Sequence, residues 1–344
     1  MARLTELVRN QGDAPAEDKG RPTPMPSPHV SFKNIEASVA QASVEQGAQR
    51  ILDADHWYAQ AERELLPIIE AVRRAQPFSL DGATRVVQGC IESLAHSDRL
   101  LVKAIAAERG GLVMSNMINT AILSLKIGMG LKYVHDDLLR LGLAAILHDV
   151  GMCLIPDDIV NKPGPLSPAE RHLITGHPEQ GAQAIRRLGA DAVWVADIVA
   201  QEHERWGGQG YPRGLTGAEI HVYAQIIGLA DTFEALLHAR PYRKRFLSHD
   251  AVRELMVKEK ASFSTSLLKC LIQQFSVFPL GTMVQLNTGE IGEVVELNPQ
   301  YQLRPIVKVS MDRGRVQLQE PRLQDLSKTP LVHITEGVQD DRPI

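Results

Sequence analysis

The sequence predicts a mainly α chain that ends in a small β module. Two observations carry that prediction. Apolar residues recur at helical spacing from about residue 31 to about residue 260, and the pattern turns strand-like after Pro279. A third observation, glycine and proline at the segment boundaries, divides the chain into parts.

Residues 1–30 carry Gly12, Gly20, Pro15, Pro22, Pro24, Pro26 and Pro28 and few large apolar side chains, which predicts a flexible arm. Residues 31–108 predict helices: Leu65, Leu66, Ile68, Ile69 and Val72 form one apolar stripe, and Leu94, Leu101, Val102 and Ile105 another. This region holds no catalytic constellation and suits an input, bracing or dimerisation role. From 109 to 262 helix follows helix. Met114, Ile118, Ala121, Ile122 and Leu125 keep the i, i+3, i+4, i+7 rhythm, and Leu138 to Leu147 is apolar enough to be a buried helix. Ser167, Pro168 and Glu170 read as N-cap, first-turn proline and capping-box acid. Residues 275–330 predict the β module, with a hairpin through Met283–Leu286, a turn at Asn287–Gly289, Ile291–Leu297, and strands at Ile306–Val309 and Val316–Leu318. Residues 331–344 read as a tail.

With 344 residues the chain has room for two or three domains. A net charge of −4 supplies no basic field for a nucleic-acid polymer. Cys90, Cys153 and Cys270 are scattered and form no Cys-x-x-Cys pair, so reduced thiols in the cytoplasm are expected rather than disulfides or thiolate zinc. The first residues lack a signal-like apolar run and no segment approaches 18 apolar residues, so neither export nor membrane insertion is expected.

Of the twelve histidines, His29, His56, His135, His172, His238, His249 and His333 occupy polar or flanking positions and read as surface or capping residues. His148–Asp149 differs, because it closes the most apolar helix. Burying an imidazole and a carboxylate there costs several kcal/mol unless they are paired with each other or with a cation. His177, Glu202, His203 and Asp231 follow at intervals of roughly 25 to 30 residues, about one helical hairpin each. Such a bundle brings one ligand group per hairpin to a shared centre. Mixed nitrogen and oxygen donors without thiolate suit iron, manganese or zinc. A metal-free buried polar network is the competing reading of the same residues.

At this point the residues resemble a known family. His148-Asp149-Val150-Gly151, Ile155-Pro156, Asn161-Lys162-Pro163-Gly164, Glu170, His177 and Gly181 resemble the first half of an HD-GYP domain. Glu202-His203-Glu204-Arg205, Gly208-Gln209-Gly210-Tyr211-Pro212, Ala230-Asp231 and Arg240-Pro241-Tyr242-Arg243 resemble the second. The resemblance implies an HD-like helical bundle and hydrolysis of cyclic di-GMP, with His148 and Asp149 at the catalytic centre. It further implies two divalent transition-metal ions, iron foremost and manganese or zinc as alternatives. One ion would take Asp149, His177, Glu202 and His203; the other would take His148, Asp149, Asp231 and Asn116. Arg240, Arg243, Tyr211 and Lys162 match positions expected near the substrate, and the Gly210-Tyr211-Pro212 loop one tied to ligand access or to a signalling-protein partner. A homodimer is also compatible.

The chain departs from that pattern at named places. Asn116 stands where the family has histidine, Met152 where it has lysine, Glu202 for the first histidine of a His-His-Glu-Arg block, Gly207 for an aspartate, and Glu234 for a second aspartate. A domain that binds cyclic di-GMP or a partner protein without turnover is therefore the alternative to an enzyme.

Overall fold

The computed structural model describes residues 54–106, 112–238, 246, 248–275, 282–296, 298, 301 and 304–338. The predicted arm, and Arg240 and Arg243, lie outside the described residues. Helices α1 (Ala54–Arg73), α2 (Asp81–His96) and α3 (Arg99–Ala106) come first. They are followed by α4 (Leu112–Gly130) and α5 (His135–Leu147). A 3-10 turn (Val150–Leu154), the single-turn α6 (Asp157–Val160), α7 (Pro168–Thr175), α8 (His177–Arg186) and α9 (Val193–Val199) lead to α10 (Val222–Leu237), α11 (Ser248–Lys258) and α12 (Thr265–Gln274).

Helix α4 is the axis of the bundle. Residues 115–125 are buried on every side, which is the mark of a helix surrounded by others. It packs against α5 and α10, with α12 and α3 also in contact. Helix α5 is as buried as its composition predicts: Leu141, Ala144, Ala145 and Leu147 are fully covered. Truncating one such leucine typically costs about 2–5 kcal/mol. The capping box at α7 forms as expected, Glu170 N–H donating to Ser167 Oγ (3.3 Å) and Ser167 N–H to Glu170 Oε2 (2.7 Å).

The β module is one antiparallel sheet of β1 (Met283–Leu286), β2 (Ile291–Glu296), β3 (Ile306–Met311), β4 (Gln317–Asp325) and β5 (Ile334–Gly337). Their order is β4-β3-β2-β1-β5. The module therefore extends past residue 330: part of the expected tail is β5, which pairs with β1 through Val284↔Gly337 and Gln285↔Glu336. Strand β4 is longer than expected and contains Pro321, a residue that an edge strand tolerates because one side needs no ladder donor. Among the described residues no helix is long and apolar enough to cross a membrane.

Candidate metal centre

The candidate ligands sit at helix ends more than within helices. His148 caps α5, Asp149 follows it, His177 opens α8, Glu202 and His203 occupy the turn after α9, and Asp231 and Asn116 lie inside helices, α10 and α4. Two backbone approaches bring these ends together. A Cβ on Gly151 would lie 2.0 Å from the His177 carbonyl oxygen and 2.7 Å from the Gly181 nitrogen, so the turn after Asp149 and the start of α8 touch main chain to main chain. Gly210 does the same for the glycine-rich loop, where a Cβ would meet Arg205 N and His203 O at 2.4 Å.

The result is two groups sharing one carboxylate. Asp149, His177, Glu202 and His203 form the first, and His148, Asp149 and Asp231 the second. In the first group His177 Nε2 lies 3.0 Å from Asp149 Oδ1 and 3.0 Å from Glu202 Oε1, and His203 Nε2 lies 3.5 Å from Glu202 Oε1. In the second, His148 Nε2 lies 3.6 Å from Asp149 Oδ2 and 3.9 Å from Asp231 Oδ1. Asp149 thus turns one oxygen to each group, as a bridging carboxylate does.

The ring tautomers sharpen the chemistry. His148 Nδ1 is 2.8 Å from the Ala145 carbonyl oxygen and His177 Nδ1 is 2.6 Å from that of Ile174. A carbonyl only accepts, so each Nδ1 carries the proton and each Nε2 of a neutral ring presents a lone pair to carboxylate oxygens. Lone pair against anion is repulsive unless a proton or a cation stands between them. His148 Nε2 and Glu202 Oε2 are both buried, 3.7 Å apart, and without a hydrogen-bond partner. Orphaned donors of this kind facing one another fit a divalent cation.

Without a metal, protons take that role. Burial alone would lower the pKa of His177, but hydrogen bonds to Asp149 and Glu202 raise it to about 10. For His148, too, burial opposes the charge, and the carboxylates of Glu202, Asp149 and Asp231 reverse the balance and raise its pKa. Burial pushes the Asp149 carboxyl up, yet the imidazoles of His148 and His177 hold it below the usual range. His203 shifts the other way, its pKa lowered chiefly by burial, which keeps the ring neutral and available as a ligand.

Around this centre the structure distributes the remaining expected residues unevenly. Tyr211 stacks on His203, with ring centroids 4.7 Å apart, and its N–H donates to the His203 carbonyl (3.2 Å). Asn116 turns its amide nitrogen, not its oxygen, toward the cluster, donating to Asp231 Oδ1 (2.9 Å) and Glu234 Oε2 (3.0 Å). The Lys162 ammonium is engaged by Glu170 at 2.6 and 2.9 Å, which ties it to the start of α7. His238, expected as a surface or capping residue, is the C-cap of α10, and it is buried there with its Nδ1 3.0 Å from Glu234 Oε1 one turn earlier. Glu204 was not singled out from sequence, although it stands within the quoted Glu-His-Glu-Arg block. Its buried carboxylate accepts from Arg213 N (2.7 Å) and Leu215 N (2.9 Å) and fastens the glycine-rich loop.

Comparison with known proteins places the chain among similar sequences and folds. Residues 99–265 match the family described as HD domain, and residues 283–341 the family described as KOW domain associated with HD domain. A cyclic di-GMP phosphodiesterase of Pseudomonas aeruginosa is 33% identical over 195 residues, covering 56% of this chain and 47% of that protein. One from Thermotoga maritima is 40% identical over 113 residues, 33% of this chain and 31% of that protein. The 3'3'-cGAMP-specific phosphodiesterase 2 of Vibrio cholerae is 35% identical over 136 residues, 39% and 26% of the two chains. The chain spans about half the length, or less, of these curated relatives. In fold it is similar to an HDG"Y"P protein from Bdellovibrio bacteriovorus, with a TM-score of 0.55 and 18% identity over 67% of this chain and 73% of that one. Residues 99–265 are thus similar to the HD-domain family and to these phosphodiesterases, and residues 283–341 to the KOW domain associated with it.

Proposed function

We propose that the chain hydrolyses cyclic di-GMP, as its curated relatives are named for doing, in a reaction that depends on two divalent metal ions. The observation that carries the reading is the pair of donor groups sharing Asp149, with His148 Nε2 and Glu202 Oε2 buried and unpartnered between them. Asp149, His177, Glu202 and His203 would hold one ion, and His148, Asp149 and Asp231 the other. Mixed nitrogen and oxygen donors of this kind suit iron, manganese or zinc alike; iron stands foremost on the resemblance to the HD-GYP family, with manganese or zinc as alternatives. When bound, the ions supply positive charge for the phosphodiester and acidify the attacking water. The residues of the chain do the rest. The Ala145 and Ile174 carbonyls fix the imidazole tautomers, Asp149 links the two groups, and Tyr211 stacks on His203.

Water adds to phosphorus and a bridging P–O ester bond breaks, leaving the linear dinucleotide; a second round gives GMP. Arg240 and Arg243 complete the reading as phosphate ligands through their guanidinium forks. The substrate is an intracellular messenger, which goes with a cytoplasmic location, as do three buried free thiols. The loop at Gly210, Tyr211 and Pro212 is a docking place for a signalling partner, and a homodimer is compatible with the reading.

A second reading, a receptor that binds cyclic di-GMP without turnover, is favoured by one observation: both N–H groups of Asn116 are committed to Asp231 and Glu234. Incubating anaerobically purified protein with cyclic di-GMP, and measuring bound metal alongside products, separates the two. Linear dinucleotide or GMP with about two metal equivalents, lost in Asp149→Ala, supports the enzyme. Bound but intact dinucleotide on metal-loaded protein supports the receptor.

A further inference from the structure

A chain of buried hydrogen bonds runs from the metal centre to α1, a helix outside the HD-domain match at 99–265. Asn116 Nδ2 donates to Asp231 Oδ1 and also to Glu234 Oε2. Glu234 Oε1 accepts from Asn119 Nδ2 at 3.1 Å, and Asn119 Oδ1 accepts from Tyr58 Oη at 3.0 Å. Tyr58, Asn116, Asn119 and Glu234 are all buried, the last two completely. Each link has a fixed direction. A carboxylate only accepts, so both asparagines must turn their nitrogens to Glu234, and the oxygen left on Asn119 requires the Tyr58 hydroxyl as donor.

The terminal atom of this chain matters. Asp231 Oδ1, held by Asn116, is also the oxygen that lies 3.9 Å from His148 Nε2. The far end is also fixed, since the Lys103 ammonium of α3 lies over the Tyr58 ring at 5.3 Å. Helix α1 reaches the centre a second time at its other end. Arg73 Nε donates to the Cys153 carbonyl at 3.1 Å, and Arg73 pairs with Asp157 at 3.5 Å across the turn that follows Asp149. Fifteen residues separate Tyr58 from Arg73, about 22 Å of helix, so the two ends of one helix touch supports on both sides of the shared carboxylate.

We infer that Tyr58 and Asn119 are positioning residues of the metal centre, acting through Glu234 and Asn116 on Asp231. Helix α1 thereby sets how well the His148–Asp149–Asp231 group holds its ion. The inference rests on the metal-centre reading above. It gives the N-terminal helical region a definite role: a shift of Tyr58 on α1 is felt at one of the two metal positions. A buried hydroxyl that merely filled space would be replaceable by Phe without consequence for the metal.

The test is a titration of metal-free protein with Co2+, followed by absorption and by metal analysis. The step assigned to Asp231 is the one that Asp231→Ala removes. Tyr58→Phe keeps the ring and deletes the hydroxyl, while Asn119→Asp keeps the volume and sets a carboxylate against Glu234. Both are expected to weaken the Asp231 step by about tenfold or more, the scale seen when a partner of a metal ligand is removed. The step of His177, Glu202 and His203 should stay within about twofold of the parent. Leu66→Ala, on the exposed side of the same helix, should change neither step. Unchanged Asp231 binding in both variants overturns the inference, and so does equal weakening of both steps, which would mark a general structural role. Parent protein that shows fewer than two steps defeats the two-metal reading itself, before any variant is compared, and the inference with it.

Discussion

Gly151→Ala is the perturbation whose consequence follows most directly from geometry. The added methyl would stand 2.0 Å from the His177 carbonyl oxygen and 2.7 Å from the Gly181 nitrogen, and both are backbone atoms. Real Cβ atoms essentially never come closer than 3.0 Å, so the start of α8 must retreat from Asp149 by at least 3.0 − 2.0, or about 1 Å. Overpacking of this kind costs roughly 1–3 kcal/mol, which for a domain of this size lowers the unfolding temperature by roughly 2–12 °C. The functional loss should be larger than the thermal one. His177 is carried on the displaced residue and stands 3.0 Å from Asp149, and a 1 Å misplacement at a reacting centre costs on the order of a hundredfold in rate.

Gly164→Ala is the matched control, since its Cβ would meet nothing within 4 Å. Both variants are assayed by thermal unfolding, by metal content after reconstitution, and by cyclic di-GMP turnover. Gly151→Ala protein with the parent's melting temperature and both metals would refute the reasoning. It would show that the close approach of the two main chains is not what sets the site.

Two other perturbations carry equally specific expectations. In metal-free protein His177 has a pKa raised to about 10 against an ordinary 6.5, so its contribution to stability is complete below pH 6.5 and is lost as the pH rises toward 10. The melting temperature of the apoprotein should fall across that window, the fall should be smaller in His177→Gln, where His148 alone of the two raised imidazoles remains, and metal binding near pH 8 should release a proton detectable by calorimetry in buffers of different ionisation enthalpy. Glu204→Ala should destabilise by roughly 1–3 kcal/mol for each backbone N–H it leaves unpaired, at Arg213 and Leu215. It should also raise KM through the loosened loop that holds Tyr211, and an unchanged KM would detach that loop from substrate binding.

What the sequence makes legible here is whatever is local or periodic. Leu138 to Leu147 announces a buried helix because nine of its ten residues, all but Arg140, favour burial, and the polar pair that ends it is conspicuous for the same reason. Ser167 and Glu170 announce a helix start because both partners lie within one turn. The hairpin of β1 and β2 is signalled by its own turn. Strand β5 is not, because Ile-Thr-Glu-Gly is four residues, two half-buried and two exposed, whose strand partner, β1, lies some fifty residues earlier. His238 reads as a surface or capping residue and does cap α10; its burial against Glu234 one turn earlier is what the sequence leaves unsaid. Tyr58 is unreadable as a member of the site: its link to Asp231 passes through three side chains on two other helices, and no spacing rule spans such a path. The ligand residues could be gathered from their recurrence along the bundle, whereas the glycine contacts that set their distances depend on which main chains meet.

The charges at the centre bear on how well it should work. Asp149, Glu202 and Asp231 all lie within 4 Å of His148 Nε2, which puts three negative charges around two proposed divalent ions. The sum is 4 − 3 = +1, and with histidine at position 202, as in the pattern the chain resembles, it would be +2. Met152 removes a further positive charge relative to that pattern, so the centre is two units less attractive to an anionic phosphodiester. One unit charge at 4 Å is worth about 1 kcal/mol in water and about 4 kcal/mol at the effective dielectric of a protein surface. The deficit should therefore appear as weak substrate binding with the metals still in place, that is, as a high KM that rises further with salt. Glu202→His combined with Met152→Lys restores both charges and should lower KM by tenfold or more on these figures, about 1.4 kcal/mol per factor of ten. A double variant that binds two metals and shows the parent's KM would mean that substrate affinity is set elsewhere, and that the substitutions at 152 and 202 are neutral for binding.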